Sequence, residues 1–414
     1  MSSMRIGMVV PTFGFAGGIE RHAHDLAVSL SARGHTVTLL YGPRPGRDPE
    51  VYKKAFAAAA PVWSAAARRG LDVVYAHKAK DIRDIASLAG IPAIIAAHDH
   101  DLTCVRSHRY LPIGQVPCHR APGAACIFFG CMVVRDRRPG THLPLTLSSP
   151  FALRDRLLEL SDRGPLVACS RYVASGLVAA GVPPPRVHVI HTVPPEDPEP
   201  LTPRPRERRL VAAGQLLRGK GFWLPIEALR HLPDDVTLDI VGDGPMRAEL
   251  VALAEKLAPG RVRFLGYVPP SRLSAVYDSA NVVVVPSHWP EPFGMVGIEA
   301  MRRARPVVGS AHGGIPEWLT DGEGGFGFTP GDSRDLARAA RALLDDPDAG
   351  DRAREAAVRR FPYRRLVDTI EALLSATAAG RAFSVELFER SATVPAPASV
   401  PAPASVPASA SAPV

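Results

Sequence analysis

Aromatic residues make up only 6% of the 414 residues, and no apolar run comes near the roughly 18 residues that a membrane-crossing helix requires. A soluble protein without a transmembrane helix is expected. Cysteine is scarce and odd in number, five in all, and the opening MSSMRIGMVV runs straight into a strand pattern instead of a signal peptide. Both features argue against a disulfide framework and for a cytoplasmic protein. The net charge of +8 comes mostly from arginines scattered through an Ala/Pro/Arg-rich chain. A nucleic-acid partner is therefore not expected, whereas peripheral attraction to an anionic membrane surface or to an anionic lipid-linked molecule stays open. What the chain does have is length and 46% hydrophobic residues, too much for one ordinary core and suited to two α/β domains of about 170–200 residues each.

The stretch from Pro286 to Met301, PSHWPEPFGMVGIEAM, organises the rest. Before it, Val282 to Val285 is a β-branched run closed by Pro286, as in a buried parallel strand. After the loop Ser287 to Gly294, Met295 to Arg303 reads as a helix. The loop thus leaves the carboxyl end of a strand, where open α/β sheets bind ligands. The helix start would present backbone N–H groups from about Phe293, through Gly294 and Met295, to Val296. With the helix dipole these favour an anion by roughly 0.3–1 kcal/mol, up to about 2, and a diphosphate suits. Two carboxylates beside a diphosphate would be repelled by it, so Glu291 and Glu299 are read as hydroxyl acceptors. Glu299, one turn into the helix, would take a ribose diol at roughly 1.5–3 kcal/mol per charge-assisted bond. Glu291, on the loop, would face whatever the diphosphate carries.

Along the chain, Arg5 to Val10 is a strand followed by PTFGFAGGIERH and a helix, with Gly17 and Gly18 letting the backbone approach a ligand closely. Strands at Thr36 to Leu40, Val73 to Tyr75 and Ala93 to Ala97 alternate with helices, one of them at about Asp81 to Ala89. The tetrad His98-Asp99-His100-Asp101 follows, and its Asp-x-Asp spacing allows a clamp for a divalent ion on a diphosphate. From Asp101 to about Thr146 the periodicity fails. Cys104, Cys118, Cys126 and Cys131 stand there at spacings of fourteen, eight and five, without a C-x-x-C pair, and two readings apply: one structural zinc, or small thiols buried in a packed loop. Strands at Leu166 to Ala168 and Arg186 to His191 end the first half, and Pro194 to Arg208 is a semi-rigid linker. The second half brings strands at Leu210 to Ala213, Thr237 to Val241, Arg263 to Gly266 and Pro306 to Val308. Its first loop, GQLLRGKG, leads to a helix from Phe222 to His231. Helices at Ser333 to Leu344 and Tyr363 to Ala379 finish the fold, and the Ala/Pro/Ser/Val repeats from Ser391 cannot build a core.

The valine strand, PSHWPEPFG, EAM and the strand at Pro306 together resemble the paired-glutamate signature of retaining glycosyltransferases of family 4, and the resemblance runs from Arg5 to about Ala379. It implies an α/β chain of GT-B type, two Rossmann-like domains whose parallel sheets face a central cleft. Residues 1–195 would bind the acceptor, with an irregular insertion at about 101–146, and 196–208 would link to a nucleotide-sugar domain at 209–362. A helix within 363–390 would cross back, and 391–414 would be a disordered tail. The implied activity is transfer of a sugar from a UDP-, GDP- or dTDP-sugar to an unidentified acceptor with retention of configuration, with no cofactor required and no metal at the donor. Gly17 and Gly18 would face the donor diphosphate. Lys220, helped by Arg218, would hold it, with Gln215 in place of the usual arginine, and Tyr267 to Pro270 would receive the nucleobase. His98 would stand beside the transferred sugar and the acceptor, a reading that the second Rossmann half favours over the Asp99/Asp101 clamp, which belongs to the GT-A fold. Two departures stand out: His191-Thr192 replaces the usual Asn-Gly, and Arg302-Arg303-Ala304-Arg305 replaces small residues. Two other functions share such a cleft: a nucleotide-sugar epimerase, which needs no acceptor, and a non-catalytic nucleotide-sugar-binding protein, which Gln215 favours.

Overall fold

A computed structural model describes residues 2–78, 90–114, 116–135, 145–196, 199–383 and 385. The helix expected at Asp81 to Ala89 and the tail expected from Ser391 lie outside them. The first half holds β1 (Arg5–Phe13), β2 (Thr36–Pro45), β3 (Ala58–Pro61), β4 (Val73–His77), β5 (Ala93–Ala97), β6 (Val133–Arg135), β7 (Leu145–Leu147), β8 (Leu166–Ala168) and β9 (Val187–Val189). Seven of these form a parallel sheet in the order β3-β2-β1-β4-β5-β8-β9, while β6 and β7 make a separate antiparallel pair. The second half holds β10 (Arg209–Ala213), β11 (Thr237–Val241), β12 (Val262–Gly266), β13 (Val282–Val285), β14 (Val307–Ser310) and β15 (Gly325–Phe328), in the parallel order β12-β11-β10-β13-β14-β15.

The apolar strands follow from this arrangement. Helices cover both faces of a parallel sheet, so β5 and β13 are buried at every residue and carry no polar alternation. Strands β3, reading AAAP, and β15, reading GFGF, escaped the sequence pattern because alanine and glycine carry little β signal. Strand order reverses between β1 and β4 and again between β10 and β13. At each such switch point the loops leaving the carboxyl ends diverge and open a crevice.

The last helix, Tyr363–Ala378, crosses back to the first half. Its Tyr363 hydroxyl lies 3.1 Å from Ser29 Oγ, and its Glu371 accepts from Arg33 at 2.5 Å and sits 2.9 Å from His35 Nε2. The arginines that replace small residues before β14 also have a structural reason. The Pro-rich linker has carbonyls that no sheet ladder satisfies, and buried arginines supply the donors. Arg302 donates to the Pro194 and Phe361 carbonyls. Arg303 donates to those of Glu199 and Pro200 at 2.7 Å each, and Arg305 to those of Thr202 and Pro203 at 3.1 and 3.2 Å. Asp278 balances the charge through two bonds from Arg303 at 2.9 and 2.5 Å.

Candidate functional site

The loop after β13 ends at Gly294, which takes the left-handed backbone (φ +87) at the cap of helix Met295–Arg302, a conformation open to glycine. No side chain caps this helix, so an anion is a natural partner for its first-turn amides. Trp318 fixes the start of the helix. Its indole N–H donates to the Phe293 carbonyl at 2.6 Å, and its ring fills the space that a Cβ on Gly297 would take, 2.0 Å away.

Gly221, at φ +70, lets the loop after β10 press against the same strand end, since a Cβ there would fall 2.1 Å from the Pro286 carbonyl oxygen. The close approach brings Lys220 Nζ to 2.8 Å from both Glu291 oxygens, and Ser287 Oγ donates a third bond at 2.5 Å. Glu291 is buried. Burial pushes its carboxyl up, but the Lys220 ammonium and the Ser287 hydroxyl outweigh burial and hold it below the usual carboxylate range.

Glu299 has other partners. It accepts from the Tyr277 hydroxyl at 2.6 Å and from Arg21, on the first helix of the other half, at 3.2 Å. Burial, with this carboxylate alongside, holds the Tyr277 phenol well above its usual range. A cavity of about 310 Å³ opens beside Glu299, lined among others by Arg21, Pro270, Leu273 and Tyr277. Gln215 reaches across to donate to the Ala16 carbonyl at 3.1 Å, next to Gly17 and Gly18. A Cβ on Gly18 would lie 3.1 Å from Met295 Cε, whereas Gly17 is extended and has nothing nearer than 3.8 Å. Arg218 is not gathered with these residues: it pairs with Glu249 on the surface at 3.1 and 3.2 Å.

On the facing half, β4 ends in His77 and β5 runs into His98, while the first helix contributes His22. One ring nitrogen from each lies within 4.8 Å of the others, the one group of three among the described residues with that spacing for a metal ion. His77 Nδ1 and His98 Nε2 are 2.7 Å apart, and Thr192 Oγ1 is 3.5 Å from His98 Nδ1. Burial, helped by the mutual repulsion of the rings, lowers His22 to about 3 and His77 well below its ordinary value. Burial likewise takes His98 to about 4. All three are neutral at pH 7. Sequence reasoning passed over His22 and His77, although GGIERH and the strand end YAH contain them. Asp99 pairs with Lys78 at 3.0 Å and accepts the Asp101 backbone N–H at 2.8 Å.

Several contacts cross between the halves here. His100 Nε2 lies 3.0 Å from the Pro290 carbonyl oxygen. Glu317 accepts the first N–H groups of helix Arg171–Ala179, from Arg171 and Tyr172 at 2.9 Å each, and lies 2.9 Å from His191 Nε2. His191 also stacks on Phe293, with ring centroids 5.1 Å apart. That gives the His191-Thr192 departure a structural role: one residue meets the loop after β13 and the other meets His98.

In the insertion, Cys118, Cys126 and Cys131 share a small satellite core with Val105, Leu111 and Leu153. Burial and the neighbouring thiols, Cys104 included, push Cys126 up and Cys131 to about 11. The insertion leans on the loop after β13, where His108 stacks on Trp289 and Tyr110 meets His288 edge-on, both at 5.5 Å.

Comparison with known proteins agrees with this architecture. Residues 16–193 match the model for Glycosyltransferase Family 4, and residues 194–360 match that for Glycosyl transferases group 1. The glycogen synthase of Mycobacterium tuberculosis is 28% identical over 387 residues, 83% of this chain and 86% of its own length. Among solved structures, Anabaena HepE in complex with UDP and glucose shares the fold with a TM-score of 0.68 at 22% identity, over 90% of this chain and 100% of that one. Sucrose-phosphate synthase from Thermosynechococcus elongatus does so with a TM-score of 0.65 at 19% identity, over 91% and 100%. The two family models together span residues 16–360, so the chain belongs to the glycosyltransferases that join a Glycosyltransferase Family 4 half to a Glycosyl transferases group 1 half, and the solved structures share its fold.

Proposed function

We propose that this glycosyltransferase moves a sugar from a nucleotide diphosphate donor to an acceptor held by the first half, with retention of configuration and without a metal ion at the donor. The observation that carries the reading is the Lys220–Glu291 pair beside the uncapped helix start, with Glu299 one turn further on. In the reaction the anomeric C–O bond to the diphosphate breaks, and the electron pair leaves with the phosphate oxygen. The acceptor hydroxyl oxygen bonds to the same face of the sugar, and its proton passes to the departing diphosphate. No enzyme nucleophile is needed. Lys220 and the amides from Phe293 to Val296 would stabilise the leaving charge, which is where preorganised donors lower a barrier. Glu291, released from Lys220 by the diphosphate, would orient the sugar hydroxyls. Glu299 would take the ribose beside the 310 Å³ cavity, and His98 would stand near the anomeric carbon.

Metal independence draws support from Asp99, whose carboxylate already serves Lys78 and the Asp101 N–H. A separate structural zinc on Cys104, Cys118, Cys126 and Cys131 belongs to the same reading. A four-thiolate set suits zinc at about 2.3 Å per bond, and binding would draw the sulfurs to about 3.8 Å from one another. Screening UDP-, GDP- and dTDP-sugars by thermal shift, then by transfer, tests the proposal. UDP-glucose is the first donor to try, since it is a ligand in an Anabaena HepE structure. Binding without turnover of any donor would favour the non-catalytic alternative, and a sugar of changed configuration formed with no acceptor present, rather than plain hydrolysis, would favour the epimerase.

A further inference from the structure

The arginines are less evenly scattered than the composition suggests. Residues 101–146 hold six arginines and no lysine against two aspartates, which is +4 of the chain's +8 in a ninth of its length. Exposed apolar side chains concentrate in the same place. Of sixteen large hydrophobic residues exposed among the described ones, eight fall between Ile113 and Phe151, whereas single exposed apolar residues scattered over a surface need no explanation.

Their geometry makes a face. Val133 stands opposite Leu147 in the β6–β7 pair, and Leu145 lies two residues from Leu147, so the three project from one side of the hairpin. Leu147 is 74% exposed. Helix Ala124–Phe128 leads into this hairpin and ends on Phe128, 84% exposed, while Phe151 opens the helix that follows it. The inward side of the segment already has its own core of Val105, Leu111, Cys131 and Leu153, so the outer side chains are not needed to fill it. Guanidinium groups border the face: Arg106 donates to the Val133 carbonyl at 2.9 Å, and Arg120 lies over the Phe129 ring at 4.8 Å.

We propose that this face docks on the interface of an anionic lipid bilayer, with Phe128 and Leu147 among the acyl chains and Arg106 and Arg120 at the headgroups. An apolar face bordered by arginine, in a segment whose net charge is +4, is complementary to that surface and to few soluble proteins. His108 and Tyr110 of the same insertion touch Trp289 and His288 on the Glu291 loop. Docking would therefore hold the cleft against the membrane, where a lipid-linked acceptor lies. That last step rests on the proposed transfer reaction; the docking itself does not.

The test is co-sedimentation of the full chain with vesicles of phosphatidylcholine alone and of phosphatidylcholine containing phosphatidylglycerol. The expected result is roughly tenfold tighter binding to the anionic vesicles. Phe128→Ser with Leu147→Ser should lower that binding roughly tenfold. Arg106→Gln with Arg120→Gln should lower it about threefold and flatten its decline as salt shrinks the screening length from about 10 to about 3 Å. Both variants should keep the wild-type melting temperature and donor hydrolysis. Equal binding to the two vesicle types, equal binding of wild type and the Phe128/Leu147 variant, or a dimer that only the wild type forms would overturn docking. Intact docking with no transfer from any donor would strike the proposed reaction instead.

Discussion

The loop after β13 and the insertion after β5 both leave the carboxyl end of a parallel strand, and they touch at Trp289, yet they keep their shapes by different means. The loop is short. A buried strand and a helix pinned by Trp318 hold its ends, and its one buried carboxylate is met by Lys220 and Ser287. The insertion is several times longer, its helix has five residues and its strands three each, so neither end can hold its middle. Segments of that length are rarely stable without support of their own, and here the support is a small core rich in cysteine. The proposed chemistry sits where the scaffold lends rigidity, and the proposed membrane docking sits where the chain has to supply it.

Lys220→Met should give the largest effect. It strands the Glu291 carboxylate in a buried site, and removing one partner of a buried pair costs roughly 3–5 kcal/mol, toward the lower end here because Lys220 is partly exposed. Turnover should fall about a hundredfold or more through the lost leaving-group contact. Urea unfolding and a transfer assay read both, and an unchanged urea midpoint would show that the loop does not depend on the pair.

The two glutamates should separate next. Glu291→Gln is expected to lower kcat about a hundredfold with little change in donor KM, while Glu299→Ala should raise donor KM roughly tenfold through lost ribose bonds. Glu299→Ala with both donor affinity and rate intact would remove the ribose assignment.

Acid should weaken the junction of the two regions. His22, His77, His98 and His100 are lowered in the folded state, His98 and His100 to about 4, by burial first. Unfolded imidazoles bind protons below about 6.5 while the folded ones stay neutral. Stability is therefore fully present above that pH and is lost as pH falls toward 4, by at most about 1.4 kcal/mol per pH unit for each ring. The melting temperature should drop between pH 7 and pH 5, and His100→Gln should make the drop shallower; a flat profile in the wild type would refute the assignment.

A smaller and more local effect is expected from Cys118→Ser with Cys126→Ser. Zinc content should fall from about one per chain, and acceptor transfer roughly tenfold, with donor hydrolysis untouched. Metal-free wild-type protein with full transfer would leave these as buried thiols. The smallest change, none, is expected when magnesium and manganese are left out of the assay. Strict dependence on either ion, abolished by Asp99→Asn, would put a metal at the donor.

Much of the scaffold could be read residue by residue. Strands β5, β8, β11 and β13 fall on the residues expected for them, because apolar runs and their Pro or Gly stops are local. The helix read from Phe222 to His231 instead ends as helix at Ala228 and continues as a tighter turn through His231. Within the candidate site the loop, the glycine cap and the two glutamates were legible as types at a spacing. Arg218, expected beside the phosphates, pairs with Glu249 instead, since a loop pattern does not say to which side a long flexible side chain turns.

The sequence alone determined that two α/β halves exist, that a loop and a helix start follow β13, and that two carboxylates stand eight positions apart there. Those are properties of neighbouring residues, carried by hydrophobic period and turn chemistry. Tertiary structure alone decided the partners: Lys220 with Glu291 across 71 positions, Arg21 with Glu299 across 278, the three imidazoles together, and the arginines on the linker carbonyls. These pairings depend on which strands lie side by side at the two switch points and on how the halves face each other. Strand order is settled by the packing of whole sheets, and no short window of sequence contains it.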